Sequence, residues 1–180
     1  RLMGIPTLIS TATASNAANV DITSGIDSTY DEYMFVFTDI NPATDQKALT
    51  FQVNAAAGSG FNETITSTTF LAYHYEDDSA AALEYEGGSD QAQGTAYQPI
   101  TVDIGNGADE SAAGVLHLFN PSSTTYVKHF YGRANVLNAV VNTNDWFTAG
   151  YINTTSAIDE ISFKMASGNF DGVIQMYGIS

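Results

Sequence analysis

Three histidines, His74, His117 and His129, are the side chains of this sequence best suited to metal or general-base chemistry. Each falls in a different strand-like stretch, without the second histidine two or four residues away that gives metal motifs their specificity. The spacing therefore predicts packing or hydrogen bonding rather than a three-histidine centre. Acidic clusters at Glu76-Asp77-Asp78 and Asp109-Glu110 raise calcium, but Asp103-Ile104-Gly105-Asn106-Gly107 lacks the alternating oxygen ligands of an EF-hand loop. Solvated acidic loops and no cofactor are the expectation, with a structural calcium ion as the alternative. Glycoside hydrolysis needs two carboxylates flanking a cleft at about 5–10 Å, and none of the twenty acids is singled out as such a pair. Serine chemistry lacks its G-x-S-x-G elbow, Gly58-Ser59-Gly60 reading as a flexible turn, and phosphate-cradling loops are absent from the sequence. No catalytic or metal-binding residue is assigned, and the chain is expected not to be an enzyme. Aromatics carry more: Tyr73, Tyr75, Tyr85, Tyr97, Tyr126, Tyr131, Trp146 and Tyr151 fall near strand ends or loops, where a ring can stack on a sugar or anchor a protein contact. Tyr85, Tyr97 and Trp146 are the candidate contacts with a ligand or partner; half-buried sheet positions are the competing assignment.

The elements that must position these residues are strands. Residues 30–54 read as two long strands joined by the turn chemistry of Asn41-Pro42-Ala43-Thr44-Asp45. The first, with Tyr33, Phe35 and Phe37 on one face and Met34, Val36 and Ile40 on the other, is expected to lie between two layers. In the second, Leu49, Phe51 and Val53 alternate with Thr50, Gln52 and Asn54, which predicts one wet face. Residues 1–23 form an N-terminal arm with an edge strand over 7–14, and residues 24–180 the body of a single domain. Residues 76–94 are the most polar part and read as a long exposed excursion with a short hairpin inside; 80–84 is the one stretch with a helical alternative. A hairpin is expected across Pro121-Ser122-Ser123, and a last one near Ser167-Gly168-Asn169. About ten short strands separated by turns mean an all-β fold. An antiparallel two-sheet sandwich of jelly-roll type is expected, with a closed barrel as the alternative.

Composition bounds the partners. The chain has 180 residues, 44% of them hydrophobic, enough for one sizeable core. Twenty acids against five bases leave a formal charge of −15, which opposes phosphate backbones and anionic membranes, so neither nucleic acid nor membrane insertion is expected. There is no cysteine, hence no disulfide framework or thiolate chemistry. Arg1 opens without a signal-peptide pattern, and a longer parent product is expected.

Five collinear segments carry a resemblance: SGIDSTYDEYMFVFTDINPATD (24–45), GSGFNETITSTTFLAYH (58–74), GSDQAQGTAYQ (88–98), GNGADESAAGVLHLFNPSSTTYVKHFYGR (105–133) and GYINTTSAIDEISFKMASGNFDGVIQMYGI (150–179). They resemble virion structural proteins of tailed bacteriophages that infect marine bacteria. The resemblance implies a β-sandwich on the surface of the extracellular particle, decorating the capsid or forming part of a tail fibre. It also implies contacts with other virion proteins and a homo-oligomer, with a trimer favoured. No catalytic residues carry over. The alternative is a receptor-binding, lectin-like fibre module that touches host surface glycans through Tyr85, Tyr97 and Trp146.

Overall fold

Thr, Val, Ile, Phe and Tyr dominate the alternating stretches, and β-structure follows from their fit to a pleated surface. The computed structural model describes residues 4–180, which form twelve strands and, among those residues, no helix. They are β1 (Thr7–Ala17), β2 (Val20–Ile22), β3 (Glu32–Pro42), β4 (Leu49–Ala55), β5 (Ile65–Tyr75) and β6 (Ala81–Tyr85), then β7 (Gln98–Pro99), β8 (Ala112–Phe119), β9 (Lys128–Asn138), β10 (Asn142–Ile152), β11 (Ile158–Met165) and β12 (Phe170–Ile179). The large sheet has eight strands in the order β1-β12-β3-β8-β9-β10-β5-β6, and the small one four in the order β2-β11-β4-β7. Every named pairing is antiparallel. Neither sheet closes on itself, so the fold is the expected two-sheet sandwich and not a barrel.

The core lies between the sheets. Phe163 of β11 meets Phe35 and Phe37 of β3 at ring-centroid distances of 5.4 and 5.3 Å, and Phe51 of β4 meets Phe130 of β9 at 5.1 Å. Such tilted and edge-on pairs add about 0.5–1.5 kcal/mol each beyond the area they bury.

Residues 30–54 do not form a hairpin. β3 pairs with β12 and β8 in the large sheet, whereas β4 pairs with β11 and β7 in the small one. Each strand turns an apolar row to the core, and the 42–49 connection carries the chain from one layer to the other. The same holds for β11 and β12, whose connection at 166–169 crosses between sheets instead of closing a hairpin. The wet and dry assignments also exchange. β3 buries Tyr33, Phe35, Phe37 and Ile40 but leaves Met34 and Val36 half-buried, while β4 is buried at all seven positions.

The polar row of β4 is dry because other segments pair most of it, Asn54 Oδ1 alone in the row lacking a partner. Gln52 Nε2 donates to the carbonyls of Glu63 (2.9 Å), Thr95 (3.2 Å) and Ala96 (3.1 Å). Thr50 Oγ1 donates to the Lys164 carbonyl at 2.8 Å, and Asn54 Nδ2 to Glu160 at 2.8 Å.

The β8–β9 hairpin forms as expected, and β1 is an edge strand paired along β12. Residues 1–3 of the N-terminal arm lie outside the described residues. Residues 76–94 are mostly exposed, as expected, and strand β6 forms a hairpin with β5 inside them. Of the stretch with the helical alternative, 81–84 belongs to β6, and beyond it the chain folds back so that Ser89 is buried.

Candidate functional site

The large sheet is wider than the small one, and the difference shapes a cleft. The small sheet ends at β7, where Gln98 Oε1 accepts a 2.7 Å hydrogen bond from Ser67 near the start of β5. Farther along β5, the inner face of β9, β10, β5 and β6 is faced by Glu86, Val102 and Asp103 instead of by a strand. Ile104 bridges this cover to Lys47 on one side and Asn138 on the other. The cleft is open to solvent and offers about 300 Å³.

Register decides the floor of the cleft. Paired residues in a sheet share a face. Trp146 lies between Ala134 and Leu71, Asn144 between Val136 and Tyr73, and Asn142 between Asn138 and Tyr75. Glu84 of β6 extends the Trp146–Leu71 row. Tyr73 and Tyr75 sit two positions apart on β5, their rings edge to face at 5.9 Å. Tyr73 Oη donates to Glu84 Oε1 at 3.4 Å, and the adjacent Glu84 charge raises the Tyr73 phenol above its ordinary pKa. Glu84, Glu86 and Asp103 make the rim acidic, and no Lys or Arg lines the cleft.

The floor is short of hydrogen bonds. Trp146, Asn144 and Asn142 are 2%, 4% and 5% exposed, and Trp146 Nε1, Asn144 Oδ1 and Asn142 Oδ1 have no partner. Among the described residues six buried side-chain polar atoms are in that state, and this one floor holds half of them. Buried polar groups in native proteins are almost always paired, so this floor calls for partners from outside the chain, an ordered water or a ligand.

The three sequence candidates do not converge. Tyr85 is 63% exposed, pairs with Phe70 on the outer face of the large sheet, and donates to Asp90. Tyr97 covers the outer face of the small sheet, with its hydroxyl donating to Ser162 Oγ at 3.1 Å and Lys164 Nζ 3.9 Å over its ring. Trp146 alone belongs to the cleft, and it forms the floor rather than a loop contact. The histidines are likewise dispersed: His74 Nε2 lies 3.0 Å from Asp78, His117 Nδ1 lies 2.5 Å from Glu32, and His129 meets Tyr151. Among the described residues no three His, Asp or Glu gather as metal ligands would. The acidic clusters close turns instead, Asp77 accepting from the Ser79 N–H and Glu110 from the Gly107 N–H.

No protein-family model and no curated protein matches this chain.

Sequence reasoning missed Asn142 and Asn144. Their stretch, Asn142-Thr143-Asn144-Asp145, has the composition of a turn, which hides the start of β10. The available signal was that the alternation Asn142, Asn144, Trp146, Thr148 continues one unbroken row. With two rings, two amides, an indole N–H and a carboxylate rim, the cleft can bind a small polar molecule that presents both an apolar face and hydroxyls.

Proposed function

We propose that this chain is a non-enzymatic structural protein of a bacteriophage particle, displayed as a capsid-decoration or fibre component and acting through protein contacts as a homotrimer. The observation that carries the reading is the outer face of the large sheet. Among the described residues no further layer covers it. Phe70 and Phe147 stack there at 4.8 Å beside the exposed Tyr85, and Tyr131 stacks on His117 at 4.6 Å beside Phe119. The polar groups at its centre are paired, Arg133 with Asp145 at 2.7 Å and the Glu32 carboxylate with the His117 ring. A chain of formal charge −15 repels its own copies over most surfaces, so a balanced aromatic face is where like can meet like. The collinear resemblance to phage virion proteins supports the same assignment.

Sedimentation of the purified chain and cryo-electron microscopy of the particle test it together. The wild type should sediment as a trimer, and Phe70→Glu with Tyr131→Glu should give folded monomers. A wild-type monomer that occupies no regular position on the particle would overturn the proposal. A second reading, contact with host surface glycans, is favoured by the cleft and its unpaired polar floor.

A further inference from the structure

We infer that the cleft over β5 and β10 is a binding site for one uncharged sugar residue, such as the terminal hexose of a surface polysaccharide. The inference rests on the glycan-contact reading and adds to it the site, the size and the charge class of the ligand.

Three features each select the same chemistry. Trp146 Nε1 is an unpaired donor, and Asn142 Oδ1 and Asn144 Oδ1 are unpaired acceptors, all on residues more than nine-tenths buried. A hydroxyl both gives and accepts a hydrogen bond, so a polyol, directly or through an ordered water, can serve this mixed set where a pure donor or a pure acceptor cannot. Tyr73 and Tyr75 border the same floor and offer ring surface to the C–H face of a pyranose. Glu84, Glu86 and Asp103 form the rim without a cation, so they accept from sugar hydroxyls and repel sugars that carry a carboxylate or sulfate. The volume of about 300 Å³ lies at the small end of ligand sites, suited to one ring with the rest of the chain outside.

Val140 lines the cleft and is exposed at its mouth.

Trp146 is the only tryptophan, so its indole N–H resonance and its fluorescence report on the site without a label. Methyl glycosides of glucose, galactose and mannose, with glucuronate as the acidic comparison, are titrated into the full chain. For a single ring, dissociation constants of about 1 mM are expected. The expected result is a saturable shift of the Trp146 indole resonance by at least one uncharged sugar. Glucuronate should bind at least tenfold more weakly in low salt, with the gap narrowing as salt is added. Tyr75→Ala and Asn144→Ala should each weaken binding about tenfold while keeping the dispersed spectrum of the fold. Should Asn144→Ala not fold, Asp103→Asn serves in its place and should narrow the discrimination against glucuronate. No shift with any sugar overturns the inference. Glycan-array binding that leaves the Trp146 resonance unmoved overturns this site but not glycan contact, and absence from both assays removes both. Tighter binding of glucuronate overturns the charge class.

Discussion

Replacing Gln52 by Leu should loosen the small sheet and the cleft together. The Gln52 amide has two N–H groups, shared among the carbonyls of Glu63, Thr95 and Ala96, and the side chain is fully buried. Leu fills similar volume, so little of the effect comes from a cavity. What is lost is a donor to the part-buried carbonyls of Glu63 and Thr95, since the Ala96 carbonyl keeps Gln91 Nε2 at 3.0 Å, at about 1 kcal/mol each, or about 2 kcal/mol in total. For a domain of this size each kcal/mol lowers the melting temperature by roughly 2–4 °C, so scanning calorimetry should record a fall of roughly 4–8 °C. Because residues 95–96 continue into the cover of the cleft, limited proteolysis should cut between 86 and 97, and Trp146 emission should shift to the red. Gln52→Glu should be at least as harmful near neutrality, since an ionised carboxylate donates nothing to three carbonyl oxygens. Its folded-state pKa would be raised, so the variant should lose stability as pH rises from the ordinary carboxylate value towards the folded one. A Gln52→Leu variant melting with the wild type and resisting protease would refute the claim that this amide holds the segment down.

Two further outcomes are expected. Val141→Gly should raise stability by about 1 kcal/mol in urea titration, because a left-handed conformation costs a β-branched residue roughly 1–2 kcal/mol that glycine does not incur; unchanged or lower stability would mean that the valine side chain compensates for its backbone at φ 63°. Asp27 is held below its usual 3.8 by the Thr29 hydroxyl first and the Thr29 backbone N–H at 2.7 Å next, so its stabilising effect is complete above that value and is lost as pH falls through the lower folded pKa. Carboxyl carbon NMR should place its midpoint below 3.8 and move it upward in Thr29→Val, and a wild-type midpoint at or above 3.8 would contradict the geometry.

The fold class was legible because two kinds of signal agree locally. Leu49, Phe51, Val53 and Ile161, Phe163, Met165 alternate at the strand period, and the turns at Pro121-Ser122 and Ser167-Gly168 punctuate them. Which sheet each strand joins was not legible. A connection such as 42–49 contains the same turn residues whether it closes a hairpin or crosses the core, and β3 and β4 present apolar rows that either arrangement could bury. The wet face assigned to β4 failed for a related reason. Thr50, Gln52 and Asn54 alternate as solvent-facing residues do, but their partners come from residues 63, 95–96, 160 and 164, distances in sequence that no local pattern encodes. Of the candidate site, Tyr73, Tyr75 and Trp146 could be found as aromatics near loops. Asn142 and Asn144 could not, because asparagine in a polar stretch signals a turn more strongly than a strand.

Sheets of unequal width connect these misreadings to the cleft. Four strands cannot cover the inner face of eight, so residues 86–104 must complete the second layer. Irregular chain carries backbone carbonyls that lack ladder partners, and a covering segment is stable only where side chains beneath it donate. Gln98 does so, its Nε2 donating to the Ser89 carbonyl at 2.8 Å, while Gln52, on the outer face of the small sheet beside Ser162, anchors the same segment at the carbonyls of Thr95 and Ala96. Where that provision stops, past Val102, the inner face still presents amides and an indole N–H, but the cover offers them no partner. The cleft therefore lies at the boundary between a polar layer satisfied from within the chain and one left to be satisfied from outside it. That boundary is set by how far the 86–104 segment reaches across β5 and β10, which is why a change at Gln52, remote from the floor, should register at Trp146.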